Sequence, residues 1–322
     1  MATHLLLVSL RKQDIQFAER LSKLNEFPLK IVATSQELAN CLIDHPQTIT
    51  LWDADHEYAG DTSHPQSVPL IGRTLENLTL PQRVFAITDT PLNSNPVLLN
   101  TTAFGHHMFR RYESPAPELY AKLTQAAVTP RPFGLSTYMP GETQTQKLTL
   151  KKSSQRKAAV EAMQNVLDKS DVTGRLSALV AQALDQLLMN AIFDAPQNPP
   201  GTYIRKFLPR SSDFELNAKE QVTLEFARND DLIGISVLDQ WGTLRKEVVM
   251  SFLRKDYQKE SVKFKATDPG SGLGLHGITQ SGLSMLFVSR PKNQTEVMLF
   301  FPRTNSYKTF RSGFRFLSII SE

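Results

Sequence analysis

Apolar and polar positions change their period along the chain, and the changes mark out its elements. Residues 4–10 (HLLLVSL) form a short apolar run that predicts a buried strand, and Ile15, Ala18, Leu21 and Leu24 then recur at helical spacing. The alternation continues with a strand at 29–33 (LKIVA), a helix from Ser35 to about Ile43 with the Ser35 hydroxyl as its cap, and a strand at 48–52 (TITLW) ending at Asp53. Strands at 83–87 (RVFAI) and 106–109 (HHMF) follow, and a helix over 115–127 carries Leu119, Leu123 and Ala126 on one face. Such strand–helix alternation predicts an α/β fold, here an N-terminal doubly wound parallel sheet.

Pro130, Pro132 and Pro140 with Gly134 and Gly141 break this pattern and mark a boundary. The pattern is helical up to Asp168, and a longer helix over 172–193 places Leu176, Leu179, Ala183, Leu187 and Ala191 on one side. Pro196, Pro199, Pro200 and Gly201 end it. Strands are predicted at 222–226, 232–238, 285–288 and 297–301, with helical character at 246–253. The chain therefore divides into a first domain over 1–128, a linker with a helical segment over 129–168, a second domain over 169–304, and a C-terminal strand or tail over 305–322. No internal repeat is evident.

Composition narrows the class. At 322 residues, 40% of them hydrophobic, the chain is long enough for two domains and can bury real cores. The single cysteine, Cys41, excludes an intramolecular disulfide framework and a multi-cysteine zinc site, and fits a cytoplasmic location. The apolar run at 5–10 is too short for a secretory signal or a span, and no other stretch reads as one. The net charge of +4 is unevenly placed: 1–128 holds 10 basic and 13 acidic residues, the remainder 26 and 19. Within the remainder, 245–265 carries seven basic residues against three acidic ones.

Three segments of the second half carry candidate chemistry. The helix segment 184–191 (LDQLLMNA) places Asp185 and Asn190 five residues apart. The strand 235–239 ends at Asp239, followed by Trp241 and Gly242. The segment Gly270-Ser271-Gly272-Leu273-Gly274-Leu275 has glycine at every second position before a helical stretch, so its bare amides suit phosphate. Alone, each has a bland reading: an Asn near a helix end, a turn Asp, a loose loop.

In this order, with Thr295 following on the last strand, they resemble the asparagine box, the two glycine boxes and the closing Thr of the GHKL superfamily, the ATP-binding fold shared by gyrase and the histidine kinases. The resemblance covers about 169–304 and implies an α/β two-layer sandwich that binds ATP and Mg²⁺. It implies that Asn190 holds Mg²⁺ against the triphosphate, that Asp185 is the acidic residue orienting water or a hydroxyl, and that Asp239 accepts the adenine amino group. Thr295 then helps to fix Asp239 and the base, while Gly242, Gly270, Gly272, Leu273, Gly274 and Leu275 belong to the nucleotide-binding boxes. The chemistry agrees: Mg²⁺ takes oxygen ligands and few from protein, an ionised Asp is acceptor-only, and glycine amides approach phosphate without steric cost. Two glycine positions of the family's first glycine box are Trp241 and Thr243 here, and 245–265 falls where the family has its ATP lid.

The first domain resembles a response-regulator receiver (flavodoxin-like) in size, strand order and the position of Asp53, the family's phosphoacceptor. Receivers place two acidic residues after the first strand, where this chain has Ser9-Leu10-Arg11-Lys12, and Arg110 stands for the usual lysine. That points to a pseudo-receiver serving as a docking surface, with Asp53 unphosphorylated. His106 and His107 read as structural. Between 147 and 188 there is no histidine to accept phosphate, so autophosphorylation of the histidine-kinase kind is not expected.

Two readings follow. One is a bacterial-type, cytosolic signal-transduction protein of two-component ancestry whose ATP·Mg²⁺ domain lacks its own phosphoacceptor His, with transfer to Ser or Thr of a partner, as in anti-sigma kinases, left open. The other is a non-catalytic interaction scaffold built from two degenerate domains. Partner signalling proteins are expected at the receiver-like domain, a homodimer is compatible, and the absence of a helix-turn-helix signature points away from nucleic acid. The tail 307–316 interleaves aromatic and basic residues and reads as a strand added to the second domain.

Overall fold

A computed structural model describes residues 3–55, 70–129, 132–198, 202–258, 278 and 281–321. It is an α/β protein of two compact units, the first made of residues 1–132 with 314–320 and the second of 133–313 with 321–322.

In the first unit, parallel strands β1 (Leu5–Val8), β2 (Leu29–Val32), β3 (Ile49–Asp53), β4 (Val84–Thr88) and β5 (His106–Phe109) lie in the order β2-β1-β3-β4-β5. Helices α1 (Lys12–Asn25), α2 (Ser35–Asp44), α3 (Leu70–Leu78), α4 (Pro96–Asn100) and α5 (Ala116–Ala126) complete it. Helix α1 packs with α5 and α2 with α3, the pairing of a doubly wound sheet. Strands β1, β3, β4 and β5 are buried along their whole length, which is why they read as apolar runs rather than as alternation. The cap of α2 is Thr34, one residue earlier than Ser35: its hydroxyl accepts from Glu37 N at 3.2 Å while Glu37 Oε2 accepts from Thr34 N at 3.1 Å. His106 stacks on Phe85, and burial pushes His107 down to about 3, so it is neutral.

The second unit has an antiparallel sheet of β6 (Gln144–Leu150), β9 (Val222–Arg228), β10 (Leu232–Asp239), β11 (Ser284–Arg290) and β12 (Gln294–Pro302), in the order β11-β12-β10-β9-β6. A two-stranded ribbon, β7 (Gln197–Asn198) and β8 (Thr202–Tyr203), stands apart. Helices α6 (Gln155–Asp168) and α7 (Gly174–Met189) pack on each other, and α7 lies against β10. Helices α8 (Lys246–Gln258) and α9 (Tyr307–Ser312) complete the unit.

Two sequence expectations are corrected. Residues 144–168 are no linker: β6 is the edge strand of the second sheet, and α6 buries Ala159, Met163 and Leu167. The tail does not join the second unit, because β13 (Phe316–Ser321) pairs antiparallel with β5 and burial of Phe314, Phe316, Ile319 and Ile320 holds it there. Among the described residues one helix, 174–194, is long and apolar enough to cross a membrane, its 18-residue window having a mean hydropathy of 1.4, but 61% of that window is buried, as in a core helix.

Candidate functional site

Strands β10 and β12 set the register at one end of the second sheet, where Asp239 faces Thr295 directly. Inward side chains alternate along both strands, so Val237 and Val297 lie on the same side one pair further in. Helix α7 approaches this floor at its C-terminal end. There the α-helix passes into a π-helical turn, Asn190–Asp194, closed by Ala195 N donating to Asn190 O at 2.8 Å. Single π turns inside helices are frequent at functional sites, because the extra residue re-aims the side chains at the bend.

A cavity of about 180 Å³ lies between the floor and the turn. Its described lining includes Asn190, Asp194, Tyr203, Lys206, Asp239 and Thr295, with Leu187, Val248 and Phe287 supplying apolar wall. The volume exceeds the roughly 150 Å³ that admits a benzene ring and falls below the roughly 300 Å³ at which drug-sized ligand pockets begin. It suits one ring system, with any remainder of a ligand leaving through the mouth.

The polar floor is unusual in two respects. Burial pushes the Asp239 carboxyl up to about 7, against the amides of Trp241, Gly242 and Thr295, which favour its ionised form. Trp241 N donates to Asp239 Oδ1 at 2.9 Å. Beside it, Thr295 Oγ1 is buried with no hydrogen-bond partner among the described residues. An orphaned hydroxyl next to a desolvated carboxyl is costly unless a ligand meets both, so the residues present fit a group that offers donor and acceptor atoms on one edge.

The sequence-predicted residues separate into three sets. Asn190, Asp239 and Thr295 share the cavity. Gly242 does not line it: at φ 60° its missing Cβ leaves room for the turn between β11 and β12, where an added Cβ would come within 2.1 Å of Arg290 O. Its need for glycine is therefore structural, although its amide serves Asp239. Gly270, Gly272, Leu273, Gly274 and Leu275 lie outside the described residues, as do residues 259–265 of the basic stretch.

Asp185 is not at the cavity but is ion-paired with Arg156 of α6. Five residues on a helix turn through about 500°, which places Asp185 some 140° away from Asn190, whereas Gln186 lies only about 40° from it. Trp241 is not among the lining residues of the cavity, and Lys219 Nζ sits 4.7 Å from the centroid of its ring. Tyr203, Lys206 and Asp194 are lining residues that sequence reasoning missed, and no periodicity could have flagged the loop pair.

In the first unit, Asp53 is embedded in an ion-pair cluster. Arg110 Nη2 reaches Asp53 Oδ1 at 2.6 Å and Arg11 Nε reaches Asp53 Oδ2 at 3.0 Å. Arg110 also binds Asp14 at 2.5 Å, Asp55 at 3.1 Å and Asp89 at 3.1 Å. Burial alone would lower the Arg110 guanidinium, but the charges of Asp14 and Asp53 raise it well above its ordinary value. Both Asp53 oxygens thus carry a guanidinium.

The chain matches no protein-family model, and a search of the curated proteins returns no match.

Proposed function

We propose that the second unit is a histidine-kinase-like domain of the GHKL type that binds an adenine nucleotide with Mg²⁺, in a cytosolic signalling protein whose receiver-like first unit is a docking domain. The supporting observation is that Asn190, Asp239 and Thr295, chosen from motif order alone and spread over 106 positions, line one cavity. In this reading ionised Asp239 accepts from the exocyclic amine and the Thr295 hydroxyl gains the partner it lacks. Asn190 supplies an oxygen for Mg²⁺ at the C-terminal end of α7, where the helix dipole favours a cation. Bound nucleotide would bring the triphosphate charge that such a cation neutralises.

Phosphoryl transfer has weaker support, because Asp185 is occupied by Arg156. That pairing and the two guanidinium groups on Asp53 favour a second reading, an interaction scaffold in which ATP sets conformation and no phosphate moves. Calorimetry of the full chain with ATP and Mg²⁺ tests the main reading: saturable binding that Asp239→Ala abolishes is the expected result, and heats at the dilution level for the wild type overturn it. Release of inorganic phosphate or transfer to a partner hydroxyl would remove the scaffold reading.

A further inference from the structure

We infer that Lys206 is the phosphate-anchoring residue of this cavity and Tyr203 its positioning residue. The inference rests on the nucleotide reading above and names a contact absent from the sequence motifs. Among the described lining residues Lys206 is the sole Lys or Arg. An anionic chain leaving a cavity whose other charged lining residues are Asp194 and Asp239 needs such a charge, since the nearby end of α7 presents the negative pole of its dipole.

The neighbouring charges leave this role to Lys206. Arg205 Nη2 is held by Glu220 Oε1 at 2.7 Å, and Arg210 Nη2 by Asp194 Oδ1 at 2.7 Å. The second pair also neutralises Asp194, the lining carboxylate that would otherwise repel phosphate. Lys206 instead rests its ammonium 4.7 Å from the Tyr203 ring centroid, a contact that orients the amine, and among the described residues it makes no ion pair. Tyr203 is itself fixed: it pairs with Gln197 in the two-stranded ribbon, and Ile204 N donates to Pro196 O at 3.0 Å. The ribbon is tied to the residues that follow the π turn of Asn190, so the lysine and the metal-side asparagine belong to one local framework.

The experiment compares adenosine and ATP·Mg²⁺ binding to the full chain by calorimetry, for the wild type, Lys206→Ala and Lys206→Arg. A charge-assisted phosphate contact predicts that Lys206→Ala weakens ATP by about tenfold or more and changes adenosine less than about twofold, and that Lys206→Arg restores most of the loss. Tyr203→Leu should give a smaller loss confined to ATP. Equal weakening of adenosine and ATP, or unchanged ATP affinity, in a Lys206→Ala protein with wild-type thermal unfolding overturns the inference while the nucleotide reading stands. A wild type that binds neither ligand overturns both.

Discussion

Arg110 Nη2 lies 2.6 Å from Asp53 Oδ1, with neither side chain exposed. Asp53 is thus already neutralised by guanidinium on both oxygens, which under the proposed receiver-like reading would exclude a phosphoryl donor and its divalent cation. Incubation with a small phosphodonor and Mg²⁺ should leave the intact mass of the wild type unchanged. Arg110→Ala should destabilise the protein by about 3–5 kcal/mol, because it strands several carboxylates together. A stable Arg110→Ala protein, or an 80 Da adduct on the wild type that Asp53→Asn removes, would refute the locked cluster.

Asp239 gives the second prediction, with its sign fixed by burial. Its folded pKa, about 7, stands above the ordinary 3.8, so the native state keeps a proton that the unfolded chain has released. This group's contribution to stability therefore declines as pH rises from about 4 to about 7 and is level above. Asp239→Asn should remove a decline on the order of 2–4 kcal/mol, read as the difference between wild-type and variant urea midpoints at pH 5 and pH 8. Nucleotide affinity should run the opposite way, rising through pH 7 as the acceptor ionises, and that rise should vanish in the variant.

Asp185 separates a binding role from a structural one. If its partner is Arg156 alone, Asp185→Ala should cost about 1–2 kcal/mol by leaving a mostly buried guanidinium without its ion pair, and should change ATP affinity less than about twofold. A tenfold loss of ATP affinity in Asp185→Ala would return Asp185 to the site.

Phe316 of β13 tests the closing of the first sheet. It is buried opposite Met108, and its ring meets Tyr120 edge-on with centroids 5.8 Å apart. Phe316→Ala should cost about 3–5 kcal/mol. Removing residues 314–322 should expose the β5 edge to aggregation, seen as light scattering at concentrations where the full chain stays monodisperse.

Legibility in the sequence followed burial. Strands β1, β3, β4 and β5, buried along their length, appear as short apolar runs bounded by polar residues. Strand β6 (QTQKLTL) was illegible because five of its seven residues are exposed, so the run reads like a linker. The tail failed for a different cause: its aromatic residues announce burial but carry no information about which sheet receives them. In the site, Asn190, Asp239 and Thr295 could be read from joint order, since each sits on a regular element. Asp185 could not be assigned correctly without helical phase, and Lys206 depends on a ribbon whose two strands have only two residues each.

The position of β13 also bears on how the protein is made. The first unit starts with β1 yet takes its last strand from 316–321, after residues 133–313 of the second unit. During synthesis β1 to β5 emerge with an open flank, and the strand that covers β5 follows only after residues 133–313 have been made. A nascent chain stalled before residue 314 should therefore be a ready client for chaperones that recognise extended apolar edges. Completion of the first unit thus reports that residues 133–313 have already been synthesised.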